Sequence, residues 1–303
     1  MSLASGSTVA RLAGGRSRRP ARTRRIRRAV LIALLVAGGV LMMVPFLWMI
    51  STSLKTRAEV FALPPTIFPA QARWENYTDM WDALPFAAFF VNSIKLAALN
   101  TIGQLISCSM AAYAFAVLRF PFRGPLFGLL LATLIIPFQV VLVPNFILYR
   151  MLPHPFSTSG NWIGTQEPLW VGAFLGAAFG TFLLRQFFLT IPRELADAAR
   201  VDGANPWQIY RRIYLPLARP ALATLAIFTF MWSWNDFINP IIYLRDVQSF
   251  TLTAGLSLFQ GQYVGKWPLL MAGALVSVLP MIILFIVAQR HFVRGIAMTG
   301  IKG

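Results

Sequence analysis

Residues 194–216 read ELADAARVDGANPWQIYRRIYLP, a polar, partly charged stretch set between two long apolar ones. Ala198, Ala199, Gly203 and Ala204 give it a thin, low-relief surface that another protein can approach closely. Glu194, Asp197 and Asp202 put acid on the first of two helix signals. Asn205, Pro206 and Gln208 then fall at the N-cap, N1 and N3 positions of a second short helix, a capping-box pattern. Between the two, Gly203 supplies either a turn with positive φ or a point of close approach, since glycine alone carries no Cβ.

The flanking sequence is membrane in character. Of 303 residues, 57% are hydrophobic and only 12% charged, against roughly 25% charged in a soluble domain. Residues 29–50, 96–118, 124–149 and 267–289 each run without Asp, Glu, Lys or Arg. Residues 168–184 form a shorter run ending at Arg185, and residues 220–244 are interrupted once, by Asp236. About 20 apolar residues cross a bilayer as a helix, so the reading is an all-α membrane protein of six spans. It divides into a basic leader, residues 1–28, and a membrane domain, residues 29–303.

Positive charge orients the spans. Nine arginines precede the first span, which places the N-terminus in the cytoplasm and, with six spans, the C-terminus as well. The segments then assigned to the cytoplasm hold nineteen Lys and Arg and the outer segments six. Residues 191–217 therefore lie in the cytoplasm, between the fourth and fifth spans. The net charge of +17 belongs beside anionic lipid rather than nucleic acid, because no zinc, helix-turn-helix or RNA-stacking pattern accompanies it. The leader is an anchor segment and not an export signal: its apolar run exceeds a signal-peptide core of about 7–15 residues and no small-residue cleavage site follows.

Several chemistries find no residues to carry them. A GxxxxGK[ST] phosphate loop is missing, so the chain does not bind ATP in the P-loop manner. The two histidines, His154 and His291, fall on opposite sides of the membrane without ligand-spaced partners, and Cys108 is the sole cysteine. GxSxG, HExxH and paired intramembrane carboxylates are also missing. A secondary transporter would need a coupling-ion site built from such carboxylates or broken helices, and a membrane enzyme would need converging acid, base or metal ligands.

Polar groups inside the spans are the candidates for a solute path or gate. Asn100, Gln104, Ser107 and Ser109 lie in the second span, and Gln139 and Asn145 in the third. Amides and hydroxyls suit a sugar, whose hydroxyls both donate and accept, and they equally suit helix–helix hydrogen bonds. In WSWNDFINP, residues 232–240, Trp232, Asn235 and Asp236 join them. Asp236 falls some 18 residues from the cytoplasmic end, roughly 27 Å at 1.5 Å per residue, near the outer surface. A cap or gate element competes there with direct solute contact. Pro137 and Pro144 can bend the third span. The outer loop of residues 51–85, with Pro64, Pro65 and Pro69, is long enough to suggest a partner that orders it.

The spacing of Asp197-Ala198-Ala199, Gly203, Ile213, Leu215 and Pro216 resembles the EAA loop of ATP-binding-cassette importer permeases. FLWMISTSLKTRAEVF (46–61), NSIKLAAL and AAYAFAVLRFPFRG (within 92–124), the WND segment and RHFVRGIAMTGIKG (290–303) resemble the carbohydrate-importing, maltose-type branch. The likeness covers roughly residues 29–303, with one departure: Asp197 stands where the family usually has glutamate, one methylene longer. The resemblance implies a type I importer permease fold with a cytoplasmic coupling helix that docks on an ATPase subunit. It implies transport rather than enzymatic activity, and no cofactor on this chain, ATP and Mg being used by two partner ATPase subunits. It further implies a second, homologous permease subunit, an extracytoplasmic solute-binding protein and a plasma-membrane location in a bacterium or archaeon. The solute expected is a sugar or sugar derivative, the alternative being a glycerol-phosphate-type or other small polar solute. Glu194, Asp197, Ala198, Ala199, Asp202, Gly203, Ala204, Ile213, Leu215 and Pro216 would carry the coupling.

Overall fold

The computed structural model describes residues 21–155, 157, 159–261 and 265–299. Most of the basic leader, the last four residues and the side chain of His291 lie outside the described residues. Two compact units are distinguished, Met1–Met49 and Ile50–Gly303. The first consists, where described, of most of α1, Ala21–Ser53, which carries Pro45 within it.

In the second unit the helices are α2 (Arg57–Val60), α3 (Glu75–Ala83), α4 (Phe86–Val117), α5 (Arg123–Ala132), α6 (Phe138–Met151), α7 (Ala178–Phe188), α8 (Arg193–Val201) and α9 (Pro206–Ile209). A π-helical turn, Tyr210–Tyr214, leads to α10 (Leu215–Leu217), α11 (Arg219–Asn235), α12 (Ile238–Tyr243), α13 (Leu252–Gly261) and α14 (Trp267–Thr299). Among the described residues four helical stretches are long and apolar enough to cross a membrane: Arg27–Ser53, Phe86–Val117, Val171–Phe188 and Trp267–Gln289. Two bent pairs, α5 with α6 and the α9–α10 segment with α11, complete the six spans.

Three boundaries differ from the sequence reading. The second span begins at Phe86, ten residues before the charge-free run, and takes in Lys95. That lysine sits on the exposed side and donates to Gln166 Oε1 at 2.9 Å, so its charge does not end the helix. The third span is broken rather than bent: α5 and α6 meet at 101°. Ile136 is extended (ψ 116°) ahead of Pro137, as the clash between a proline ring and the preceding residue demands, while Pro144 stays inside α6. The fifth span stops at Asn235, and α12 is a separate helix beyond Asp236.

α4 is the central helix of this unit, packing on both α7 and α11, and α14 packs on α11. Small residues set these distances. A Cβ on Gly180 would stand 2.8 Å from Cys108 Sγ and 3.0 Å from Leu225 Cδ1, so α7 reaches α4 and α11 only because position 180 is glycine. Lipid tails are as apolar as leucine, and close packing with interhelical hydrogen bonds therefore does the work that hydrophobicity does in water. Two buried clusters result. One gathers Cys108, Ala112, Tyr113, Leu184, Phe188, Tyr210, Tyr214 and Leu225 toward the coupling loop. The other gathers Met80, Phe86, Phe89, Trp234, Leu252 and Phe259 toward the opposite ends of the same spans.

Candidate functional site

Residues 193–217 fold as the two helix signals indicate. α8 ends at Asp202, and Gly203 turns back with φ +82°. Gly203 N–H donates to Arg200 O at 3.0 Å and Ala204 N–H to Ala199 O at 2.8 Å. This pair of bonds is the Schellman closure, whose left-handed residue favours glycine. Asn205 Oδ1 then accepts from Gln208 N–H and Gln208 Oε1 from Asn205 N–H, each at 2.9 Å, so the capping box is formed in both directions.

The hairpin is fastened to the spans by aromatic side chains. Tyr113 on α4 packs its ring 5.2 Å from both Tyr210 and Tyr214, and Tyr214 meets Phe188 of α7 edge-on at 5.5 Å. Tyr113 OH donates to Pro206 O at 3.0 Å, and Tyr210 OH shares a hydrogen bond of 2.7 Å with Ser109 Oγ. Ala218, at the bend of 77° into α11, is fully buried. The hairpin is thus fastened to the second, fourth and fifth spans through packed rings and two hydrogen bonds.

The ten coupling candidates divide by where they face. Ala199, Ala204, Ile213 and Leu215 lean on the buried cluster and hold the hairpin in place. Glu194, Asp197, Ala198, Asp202, Gly203 and Pro216 are exposed. Asp197 pairs with Arg200 at 2.5 Å. Four exposed apolar side chains join this stretch without having been singled out from the sequence, Leu195, Leu217, Val201 at 89% and Trp207 at 55% exposure. The fastening tyrosines were also missed, although Tyr210 and Tyr214 are spaced four apart and so share a helix face.

The polar span residues separate equally plainly. Asn100 Nδ2 donates to Leu96 O, Leu169 O and Ser233 Oγ, all at 3.0 Å. Gln104 Oε1 accepts from Thr229 Oγ1 at 3.3 Å. Positions 100 and 104 on α4 therefore meet 233 and 229 on α11 as two rungs of an antiparallel ladder. Ser107 Oγ donates to Ala173 O at 2.7 Å. By contrast Gln139 is exposed and Asn145 half-buried, and neither side chain has a hydrogen bond to another described residue. Trp232 is exposed, packing against Phe179 at 5.3 Å and stacking on Phe228 at 6.4 Å. Asn235 is exposed one turn further on and gives its amide to Met231 O at 2.8 Å.

Asp236 is the residue at which α11 ends. Its Oδ1 accepts from Asn239 N–H at 3.2 Å, its Oδ2 from Asn239 Nδ2 at 2.9 Å, and its carbonyl from Thr253 Oγ1 at 2.7 Å. The carboxylate therefore holds Asn239 in the first turn of α12, and the backbone carbonyl ties the break to α13.

Between α1 and α4, residues 51–85 are held by their own hydrogen bonds. Lys55 is buried with its ammonium on Thr66 O, and Asn76 Nδ2 spans Ser53 O and Lys55 O at 2.8 and 2.9 Å. The Asn76 amide is thus buried and engaged in holding residues 53–55. Above this frame Phe61, Leu63, Ile67, Phe68 and Trp74 are exposed.

Six helical spans with a capped hairpin fastened to three of them define a multi-pass helical membrane protein of the permease class. The sequence matches the family model described as binding-protein-dependent transport system inner membrane component over residues 103–298, and the chain belongs to that family. It is 33% identical to the sn-glycerol-3-phosphate transport system permease protein UgpE of Pectobacterium atrosepticum, over 78% of this chain and 84% of that one. To UgpE of Salmonella typhi it is 32% identical, over 87% and 93% of the two chains. Its fold resembles a chain of a bacterial ABC transporter involved in the import of the acidic polysaccharide alginate, with TM-score 0.76, 23% identity and coverage of 89% and 98%. The fold is that of a type I ABC importer permease, a multi-pass inner-membrane transport component and not an enzyme.

Proposed function

We propose that this chain forms half of the translocation path of an ATP-driven importer of a sugar or sugar derivative. Residues 29–303 act as the permease domain and residues 1–28 as a basic leader, with both termini in the cytoplasm. A second, homologous permease subunit completes the path. Two ATPase subunits bind ATP and Mg, while this chain binds neither. A solute-binding protein delivers the solute to the outer loop, where Phe61, Leu63, Phe68 and Trp74 offer the apolar contact. The observation that carries the reading is the hairpin of residues 193–217, whose exposed side is free for an ATPase and whose buried side is fastened to three spans.

Closure of the ATPases on ATP would push this hairpin, and the tyrosine cluster would tilt α11 and α4 with it. Exposed Trp232 and Asn235 on α11, with Gln139 and Asn145 on α6, form the candidate solute face. Aromatic faces and neutral amides suit a polyhydroxyl solute. Asn100 and Gln104 hold the helices together, and Asp236 sets the outer end of α11. A second reading, a glycerol-phosphate-type solute, is favoured by the UgpE relatives.

Membrane vesicles carrying the assembled importer test both readings. Uptake of a labelled sugar panel and of glycerol 3-phosphate is measured with ATP held constant, with and without an uncoupler. ATP-dependent uptake that ignores the uncoupler supports the proposal, and the preferred solute separates the two readings. Collapse with the uncoupler would sink the ATP-driven reading. For orientation, in a Cys108→Ser background, Ser157→Cys should react with an impermeant thiol reagent from outside and Gln208→Cys only from the cytoplasm. Reaction of both from one side would refute the placement.

A further inference from the structure

Where the inner ends of α4 and α7 meet α8 there is a cavity of about 680 Å³, within the range of sites that hold small ligands. Arg119, Arg123, Arg193 and Arg200 converge on it, with Asp197 as the one acid. That acid is already taken by Arg200. Arg123 spends one donor on Leu118 O at 2.9 Å. Arg119 and Arg193 are exposed and have no acidic partner among the described residues. Phe120, Phe188 and Leu189 make an apolar wall on the same cavity.

The positive-inside rule alone would scatter arginines along cytoplasmic segments. Here residues 119 and 123 from one segment and 193 and 200 from another point into a single concavity, where low-dielectric walls concentrate their field. Guanidinium groups bind phosphate oxygens in a bidentate fork. Basic pockets between spans on the cytoplasmic side are suited to anionic head groups, and the apolar wall matches the start of an acyl chain.

We propose that this cavity binds a phosphate group supplied by an anionic phospholipid of the inner leaflet, with Arg119, Arg123 and Arg193 as its ligands. The inference rests on the cytoplasmic placement of the hairpin. Because Arg193 opens α8 and Asp197 lines the cavity, an occupied site would brace the base of the docking hairpin.

The test uses the full-length chain in its assembled complex, held in nanodiscs of equal parts phosphatidylglycerol and phosphatidylcholine. After detergent extraction, retained phospholipid is quantified by mass spectrometry. Wild type is expected to retain phosphatidylglycerol preferentially, and Arg119→Gln with Arg193→Gln to lower that preference roughly tenfold. Arg119→Lys with Arg193→Lys should keep most of it, because the charge remains. Arg211→Gln with Arg212→Gln, exposed arginines outside the cavity, should match wild type. Equal retention in wild type and the glutamine pair would overturn the proposal. So would displacement of the lipid by millimolar inorganic phosphate, which would make the source a soluble anion. Loss of the ATPase subunits from the glutamine pair with lipid retention unchanged would make the cavity a protein-docking surface instead, and would likewise overturn it. Failure of the cysteine-labelling test at Gln208 would strike the orientation itself and is read separately.

Discussion

The chain changes direction at two proline-marked elbows, and they are built in opposite ways. Where α10 meets α11, beside Pro216 and Pro220, the corner residue Ala218 is fully buried in the cluster that also holds Tyr113, Tyr214 and Phe188. Where α5 meets α6, at Ile136–Pro137, the corner is bare: Ile135 is 82% and Ile136 50% exposed, and no residue of α5 or α6 is buried. A packed corner passes on displacement, because close-packed side chains do not deform continuously. A bare corner can pivot, and its apolar surface is left for lipid or another subunit to cover. The hairpin side of the molecule therefore reads as the transmitting part and the third span as the yielding part.

The largest effect should come from emptying the packed corner. Tyr214→Ala removes the ring that touches Tyr113 and Phe188, at a cost of roughly 3–5 kcal/mol for a large aromatic. ATP-dependent uptake should fall by more than about tenfold in protein that still inserts. Tyr214→Phe keeps the rings and should stay near wild type. If both variants transport normally, the corner transmits nothing.

Next comes the bare corner. Pro137→Ala lifts the restriction on Ile136 and lets α5 and α6 straighten. Uptake should slow by about two- to fivefold, an effect on the order of 1 kcal/mol, while co-purification of the ATPase subunits is unchanged. Loss of those subunits instead would show that the two elbows are not separate in role.

Asp236 makes a third break, held by side-chain hydrogen bonds rather than packing. Asp236→Asn keeps the size and loses the charge, at about 1 kcal/mol for a weakened cap. Uptake of all solutes in a panel should slow alike, by no more than about fivefold. A change of preference among solutes would reassign Asp236 from gate to contact.

The smallest effect is expected at Glu59, in the loop between α1 and α4. Its carboxylate accepts from Thr56 N–H at 2.8 Å and Ala70 N–H at 2.9 Å, and these backbone bonds hold its pKa below the ordinary carboxylate value. A depressed folded pKa adds order that is present above the unfolded value and lost as pH falls through the folded one. Hydrogen exchange of residues 56–70 should therefore quicken as the pH is lowered through the carboxylate range, and Glu59→Gln should show the faster rate already at neutral pH. An exchange rate that follows only the intrinsic pH dependence in both proteins would count against the cap.

Much of this arrangement is visible in the residues alone. The capping box at Asn205 and Gln208, the turn at Gly203 and the order of six spans follow from local preferences and hydropathy, which act over a few neighbouring positions. What stayed hidden depends on distant partners. Lys95 looked like a span boundary because its partner, Gln166, is 71 residues away. Asn100 and Gln104 suit a solute as well as a neighbouring helix, and the favoured packing role acquires partners only where Ser233 and Thr229 stand opposite them. Pro137 announced a bend, but its size depends on how α5 and α6 pack. Tyr210 and Tyr214 carried a usable signal in their spacing, which the flanking arginines obscured.

The central claim is that the exposed side of residues 193–217 receives the ATPase stroke. Gly203→Trp probes it most directly, because open space surrounds that position and the indole would project from the docking face. The φ of +82° adds a backbone cost of roughly 1–2 kcal/mol, so Gly203→Asn, which tolerates that conformation, serves as the control for strain. ATP-dependent uptake and ATP hydrolysis are measured together in vesicles holding the complete importer. The account predicts that the tryptophan variant inserts normally yet loses at least about nine-tenths of its uptake, with hydrolysis lost or uncoupled, while the asparagine variant keeps most of both. Wild-type uptake by Gly203→Trp would contradict it and leave residues 193–217 an ordinary loop.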